Sequence, residues 1–435
     1  MLIAIWKERG RELIRHRLVK NTMALLFMQA TAYIAPFLVL PYLSRVLSKQ
    51  HFGLIAFAMS FNWYFITLVE YGFNLTATRR IALHQDEPEK ISKIFSSVMA
   101  AKTFLTVLGF VIMLSVVLLT PKLRPNLTLF CICYLAVLGE LLFPLWLFQG
   151  LQKMENLLWR DLLAKMTSLA LVFTFVHQDG DYLWAAGFQA GAMALSGVVG
   201  IITVPFLTPA RFVPPSVEEA FTALKEGWPV FLSMAAIAIQ SASNTFILGL
   251  RSGPEDVAVF SVAYRLVVAF RTLTQPVVQA VYPHISHMAF GSRESAIAFL
   301  RKYALLLAAP FFVASVVLFV GAAPIIRIVF SAKYLPAVPL LRIMAFGVFL
   351  LAIQHVYSTF YMLAFGYEKQ WSRLILQGTA VNFAVLIPLM YIIWPAEAVS
   401  ITLLVLDIFV AVASYLFYRR TASPIPQVVA AQSVH

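Results

Sequence analysis

The sequence predicts an all-α polytopic membrane protein of about twelve transmembrane helices, arranged as two pseudo-repeated six-helix lobes. Three observations predict it. First, 61% of the 435 residues are hydrophobic and only 12% are charged, with a mean hydropathy of +0.83. Soluble domains carry about twice that share of charge, and a soluble chain so composed could not cover its surface. Second, Lys and Arg alternate between many and few in successive connections. Third, the chain repeats itself weakly at a shift of 205 residues. The net charge of +13 does not mark a nucleic-acid binder here, because cations of a membrane protein collect in its cytoplasmic loops. Cys131 and Cys133 are the only cysteines; they face apart on a helix, which argues against a mutual disulfide, and two cysteines are too few for a four-cysteine metal framework.

Taken in order, residues 1–20 place an apolar start before Lys7, Arg9, Arg11, Arg15, Arg17 and Lys20, the reverse of a secretory signal. They form a basic amphipathic segment suited to an anionic membrane surface, or a frayed basic tail. About 20 apolar residues cross a bilayer. Apolar runs predict spans at 21–43, 52–74, 94–119, 126–149, 158–177 and 181–207 in an N-lobe covering 21–207. A polar linker at 208–227 follows. The C-lobe, 228–418, holds spans at 228–250, 257–283, 303–330, 337–366, 373–394 and 396–418, and 419–435 is a tail. Twenty-one Lys and Arg lie on the side of both termini and six on the other. That asymmetry places linker, tail and both ends in the cytoplasm. The outer loops reach about ten residues, too few for an extramembrane catalytic domain.

Under the 205-residue shift, FGLIAFAMS at 52–60 lies over VAVFSVAYR at 257–265. Ser60, Trp63, Thr67, Glu70 and Asn74 form one helical face. Their counterparts include Arg265, Thr272, Gln275 and Gln279, so both helices carry a polar stripe in register. Repeats of this kind commonly flank a substrate path; two helices packed by polar contacts are the plainer alternative.

At least ten ionisable residues fall inside spans, and each costs about 2.5–3.5 kcal/mol at the centre of a lipid-facing helix. They must therefore face water, a partner or a ligand. Lys165 and Asp161 sit near a cytoplasmic end and can snorkel, Arg327 sits near an outer end, and Arg342 completes the cations. The deeper ones are Lys102, Arg265, Arg271, Glu70, Glu140 and Asp407. Arg265 and Arg271 with Lys102, among the amides Asn74, Gln240, Asn244, Gln275 and Gln279, suit an anionic, hydroxyl-rich ligand. Guanidinium binds phosphate bidentately and amides bind sugar hydroxyls. Six residues apart, the two arginines project about 120° from each other, so both border one cavity or one of them pairs with an acid. Span 1 adds Gln29 and Tyr33. Glu70, Glu140 and Asp407 are the candidate ion-coupling carboxylates. The alternative is a set of Arg–Glu pairs that lock the bundle.

Weaker signals are Trp63, Tyr64 and Tyr71, which stack on sugars or simply pack, and Gly187 and Gly191, whose G-x-x-x-G spacing predicts helix packing. His284 and His287 lack an evident third ligand, so no metal site is expected. His355 is a titratable group or a satisfied polar contact. The sequence has neither a Walker A motif nor G-x-G-x-x-G, and no cofactor is expected.

PYLSRVLSKQHFGLIAFAMS (41–60), VEYGFNLTATRRIA (69–82) and PLWLFQGLQKM (144–154) resemble the Wzx-type O-antigen flippases, in the polysaccharide-transport branch of the MOP exporters. The resemblance extends over most of the chain. It implies two six-helix bundles around a central, cation-lined cavity in the bacterial inner membrane. The implied substrate is an undecaprenyl-pyrophosphate-linked oligosaccharide moved from the cytoplasmic to the periplasmic leaflet. It further implies H⁺ or Na⁺ as coupling ion, membrane lipids and other polysaccharide-assembly proteins as partners, and no nucleic acid. Arg265 and Arg271 lie in the helix that matches this role. A MATE-like cation or drug antiporter is the alternative, and would favour a carboxylate-rich cavity. A lipid II flippase would bring about fourteen spans by resemblance. A membrane glycosyltransferase or polymerase would bring a sizeable extramembrane domain.

Overall fold

The computed structural model of the protein describes residues 38–422 and is all-helical there. The expected basic segment 1–20, most of the first span with Gln29 and Tyr33, and residues 423–435 of the tail lie outside the described residues. Among the described residues, ten helices are long and apolar enough to cross a membrane. The span expected at 158–177 is the helix Glu155–Phe175, which is not among those ten. Its Lys165 and Asp161 pair with each other at 2.5 Å rather than snorkelling separately, and Ser196 Oγ donates to the same carboxylate at 2.9 Å.

Contacts divide the chain into two units. One runs to Val259 and takes in Val329–Ser331; the other is Phe260–Ile328 with the chain from Ala332. In the first unit, Lys49–Glu70 and Phe73–Leu83 form one broken span. Tyr71 and Gly72 at the break are both left-handed, with φ of 47° and 77°. Pro88 opens the helix Pro88–Leu119 at a position where a missing N–H costs nothing. The helix Leu135–Leu142 ends just before Pro144, and Leu145–Gly150 continues the span. Helix packing through glycine falls elsewhere than expected. A Cβ on Gly191 would meet nothing within 4 Å and one on Gly187 only ordinary contact. Gly139 and Gly197 make one such close approach: a Cβ on Gly197 would lie 2.5 Å from the Gly139 carbonyl oxygen.

The linker is shorter than 208–227. Only 208–216 lie outside a helix, because Val217–Ser252 begins eleven residues before the apolar run. Ser216 caps it, its Oγ accepting from the Glu219 backbone N–H at 3.0 Å. By contacts this helix groups with the first unit, although the apolar runs and the repeat set residues from 228 at the head of the second lobe. Val230 abuts Gly72, and Phe231 stacks on Tyr71 at 4.6 Å.

The second unit repeats the order of the first. The helix starts Lys49 and Pro254 are 205 positions apart, as are Pro88 and Arg293; Tyr182 and Pro395 are 213 apart. Pro254–Thr272 and Thr274–Gly291 form another broken span. Pro276 explains the break, since it removes the N–H that the Thr272 carbonyl would accept. Gly347–Gln354 runs into a π-helical stretch, His355–Leu363, before Glu368–Ile392 and Pro395–Thr421. The core of this unit gathers Leu300, Val356, Phe360 and Tyr361 with Leu406 and Val410.

Candidate functional site

In the first unit the deep charges converge. Lys102 is only 1% exposed, and its Nζ donates to the Glu140 carbonyl oxygen at 2.6 Å and to Glu140 Oε1 at 3.0 Å. The carbonyl bond has a cause in the sequence. An α-helical Glu140 carbonyl would accept from residue 144, and proline has no N–H to give. The ammonium fills the vacancy and places a cation at a helix C-terminus, where the dipole favours it. Lys102 is thereby a structural cap, not the open substrate contact that its depth predicted. Glu70 lies within the field of both Glu140 and Lys102, and its Oε1 accepts from Asn74 Nδ2 at 3.0 Å. Glu70, Asn74, Lys102 and Glu140 are thus one cluster. Glu70 is half-buried and has no ion-pair partner among the described residues.

The rest of the stripe is less open than its periodicity implied. Ser60 and Thr67 donate to carbonyls of their own helix. Tyr64 bonds Ser243 at 2.7 Å and Tyr71 is packed, leaving Trp63 as the exposed aromatic. Gln240 is half-buried. Asn244, expected as a substrate contact, is buried at 2% exposure.

In the second unit, Arg271 Nη2 donates to Asp407 Oδ1 and, at 3.3 Å, to the Gly347 carbonyl. Gln354 Nε2 reaches the Asp407 backbone carbonyl at 3.0 Å and Oδ1 at 3.3 Å. Gly347 makes the room: a Cβ there would lie 2.5 Å from Asp407 Oδ2. Asp407 is buried. Of the two outcomes open for the arginines, Arg271 takes the pair with an acid. Thr274 Oγ1 donates to the Arg271 carbonyl at 2.7 Å and meets His355 Nε2 at 3.2 Å, while His355 Nδ1 meets Thr359 Oγ1. His355 is a satisfied polar contact. Arg265 differs. Its side chain is exposed, and among the described residues no carboxylate pairs with it. Gln275 and Gln279, on the continuation of its span, are exposed too.

Gln354, Gly347 and Thr274 were missed from the sequence. Gln354 carried a signal, an amide beside His355 in an apolar span; Gly347 carried none. Among the described residues no group of three His, Cys, Asp or Glu could hold a metal, and His284 packs edge-on against Phe299.

Broken spans and repeated order describe a polytopic helical fold, and solved transporters of the MOP superfamily share it. An inward-facing multidrug resistance MATE family transporter shares it at a TM-score of 0.68 and 15% identity, over 90% of this chain and 94% of the other. The lipid II flippase MurJ in an inward closed conformation shares it at 0.70 and 13%, over 93% and 88%. More specifically, residues 18–289 match the polysaccharide biosynthesis protein family, and the chain belongs to it. Two relatives bear the name "Putative O-antigen transporter". That of Escherichia coli (strain K12) is 31% identical over 92% of this chain and 96% of its own length. That of Shigella dysenteriae is 30% identical over 86% and 93%. Both relatives are named as transporters, and the two solved structures are a transporter and a flippase.

Proposed function

We propose that the protein flips undecaprenyl-pyrophosphate-linked O-antigen or polysaccharide repeat units from the cytoplasmic to the periplasmic leaflet of the bacterial inner membrane. Transport is by alternating access, driven by an H⁺ or Na⁺ gradient, with both termini in the cytoplasm. The observation that carries this reading is the open Arg265. A pyrophosphate crossing a low-dielectric path needs a compensating positive field. In the second unit Arg271 is neutralised by Asp407, and Arg265 is left to supply that field. The exposed Gln275 and Gln279 suit sugar hydroxyls. In the first unit the surplus charge has the opposite sign: Lys102 neutralises Glu140 and leaves Glu70 to exchange the coupling ion. The names of the two relatives support the substrate class. The six-helix lobes 21–207 and 228–418 remain the proposed moving bodies. A drug-exporting reading has less support, because both neutralised carboxylates are unavailable to a cationic drug.

Arg265→Ala tests the reading. Surface polysaccharide per folded molecule falls at least about tenfold, and Arg265→Lys recovers only part, since an ammonium keeps the charge without the planar fork. Unchanged activity per folded molecule, with transport tracking abundance alone, would make Arg265 scaffold and remove the phosphate-binding role.

A further inference from the structure

The first unit holds an apolar cavity of about 780 Å³, whose lining residues include none of the charge cluster. Phe95 and Phe104 of the helix Pro88–Leu119 form one wall, and Ile201 and Pro205 of the helix Tyr182–Leu207 form the other. Arg211 and Phe212, from the loop that follows, complete it. Two ties set the width of this groove. At depth, both helices are fastened to Leu135–Leu142, the first by Lys102 on Glu140 and the second by the approach of Gly197 to Gly139. At the loop, Ser92 Oγ accepts from the Arg211 backbone N–H and Ser96 Oγ from that of Val213, each at 2.9 Å. The two serines are one helical turn apart, which holds the loop along one wall.

Among the described lining residues Arg211 alone is charged. It is exposed, and its Nη1 donates to the Thr208 and Ala210 carbonyls at 3.1 and 3.0 Å, which leaves Nε and Nη2 for another acceptor. Lys153 adds a cation nearby, its Nζ donating to the Leu207 carbonyl at 2.9 Å. The charge asymmetry puts this loop at the cytoplasmic surface, the depth of lipid headgroups. Capping of a helix C-terminus accounts for the two cations, but not for an open apolar groove of this volume beside them. A free phosphate would use Arg211 and leave the walls empty. A glycerophospholipid brings two chains under one head, and a single groove takes only one of them. A polyprenyl phosphate brings one long chain. Beyond Phe104, the exposed Val107, Leu108 and Val111 carry the apolar face further along the helix, for a chain that outruns the cavity.

We infer that this groove receives the polyprenyl chain of the carrier lipid at the cytoplasmic leaflet, with the carrier phosphate on Arg211. The inference rests on the flippase reading above and adds to it a contact with the chain. Phe104 and Phe212 are 59% and 70% exposed, so the chain enters sideways from the bilayer. Thr103 lines the groove from an exposed position and spends its hydroxyl proton on its own helix, at the Met99 carbonyl.

Native mass spectrometry of the purified full-length protein tests it, with undecaprenyl phosphate, farnesyl phosphate and phosphatidylglycerol as probes. Undecaprenyl phosphate is retained about tenfold better than farnesyl phosphate, which carries the same head on a short chain. Thr103→Trp, which fills the groove, lowers the bound fraction about fivefold. Arg211→Gln lowers it about threefold. Lys90→Gln, at the exposed start of the same helix, leaves it unchanged. Full retention by Thr103→Trp, or equal retention of the two polyprenyl phosphates, overturns the groove. If Thr103→Trp fails to insert, Arg211→Gln decides, and full retention there overturns the site. An equal loss in Lys90→Gln overturns the phosphate contact at Arg211. Displacement of undecaprenyl phosphate by an equal amount of phosphatidylglycerol overturns the carrier and gives the groove to bilayer lipid. Surface polysaccharide per folded molecule separates this inference from the reading it rests on. If Arg265→Ala loses polysaccharide while Thr103→Trp retains the lipid, the groove falls and the flippase reading stands. If Thr103→Trp loses the lipid while both variants keep full polysaccharide, the chain site stands and the flippase reading falls.

Discussion

Each unit sets one of the deep cations against a deep carboxylate, Lys102 against Glu140 and Arg271 against Asp407, but the two pairs are built for different work. Lys102 is sealed, and half of its hydrogen bonding repairs a backbone defect that Pro144 creates. Arg271 is half-buried, and its acid is shared with Gln354, an amide from the span that ends in the π-helical stretch. Beyond the pairs the remainders are opposite: Glu70 in the first unit and Arg265 in the second. Counting deep charges over the whole chain hides this, because the three cations and three acids cancel. Counting them unit by unit separates a place fit for a cation from a place fit for an anion.

The sharpest way to break the comparison is to remove the cations of the two pairs. Lys102→Met strands the half-buried Glu140 carboxylate and an acceptor without a donor, at a cost of up to about 3–5 kcal/mol for the pair. Arg271→Met also strands its acid, but Gly347 lies at the start of a helix that can satisfy its carbonyl. Lys102→Met is therefore the more damaging, by about 1–3 kcal/mol for the orphaned acceptor. Thermal unfolding in detergent and abundance in the membrane both report it, and equal losses would remove the capping role of Lys102.

Glu70→Gln comes next and acts on transport instead of folding. It abolishes gradient-driven transport, by at least about a hundredfold or roughly 2.7 kcal/mol, while thermal stability holds. Glu140→Gln and Asp407→Asn chiefly lower abundance. Full transport by Glu70→Gln in vesicles with an imposed gradient moves the coupling out of the first unit.

Gly347→Ala gives the smallest effect. The new methyl must push the Asp407 carboxylate aside, at about 1–3 kcal/mol of overpacking. A wild-type melting temperature would mean that the pair has slack.

Much of the fold was legible because span length and stripe period are local properties. The 205-residue offset read from residues 52–60 and 257–265 recurs in the helix starts at Lys49 and Pro254, and at Pro88 and Arg293. It drifts to 213 later, where connections in the second unit are longer, so a fixed shift could not align Glu140 with a counterpart. The early start of Val217–Ser252 was also readable: Ser216 and Glu219 stand at capping-box spacing, outweighed by the polarity of VEEAFTALKEG. What a periodicity cannot give is the partner across the bundle. Lys102 and Glu140 are 38 residues apart and Arg271 and Asp407 are 136 apart. The stripe correctly proposed Glu70 and Asn74 as neighbours. It could not tell that Asn244 is packed, or that Arg265 alone of the deep cations stays open.

The π-helical stretch His355–Leu363 carries a consequence in rotational phase. Its wider turns hold more residues than α-helical ones, and each residue drawn into or released from them turns the chain beyond by about 100°. Gln354, on the acid, stands just before the stretch, and Tyr361, bonded to Thr421 Oγ1 at 2.8 Å, stands within it. The azimuth of the tyrosines against the last helix is therefore indexed to the azimuth of the amide on Asp407. A change of winding between them cannot leave both ends as they are: either Gln354 swings off the carboxylate or the tyrosines leave their places beside Tyr418.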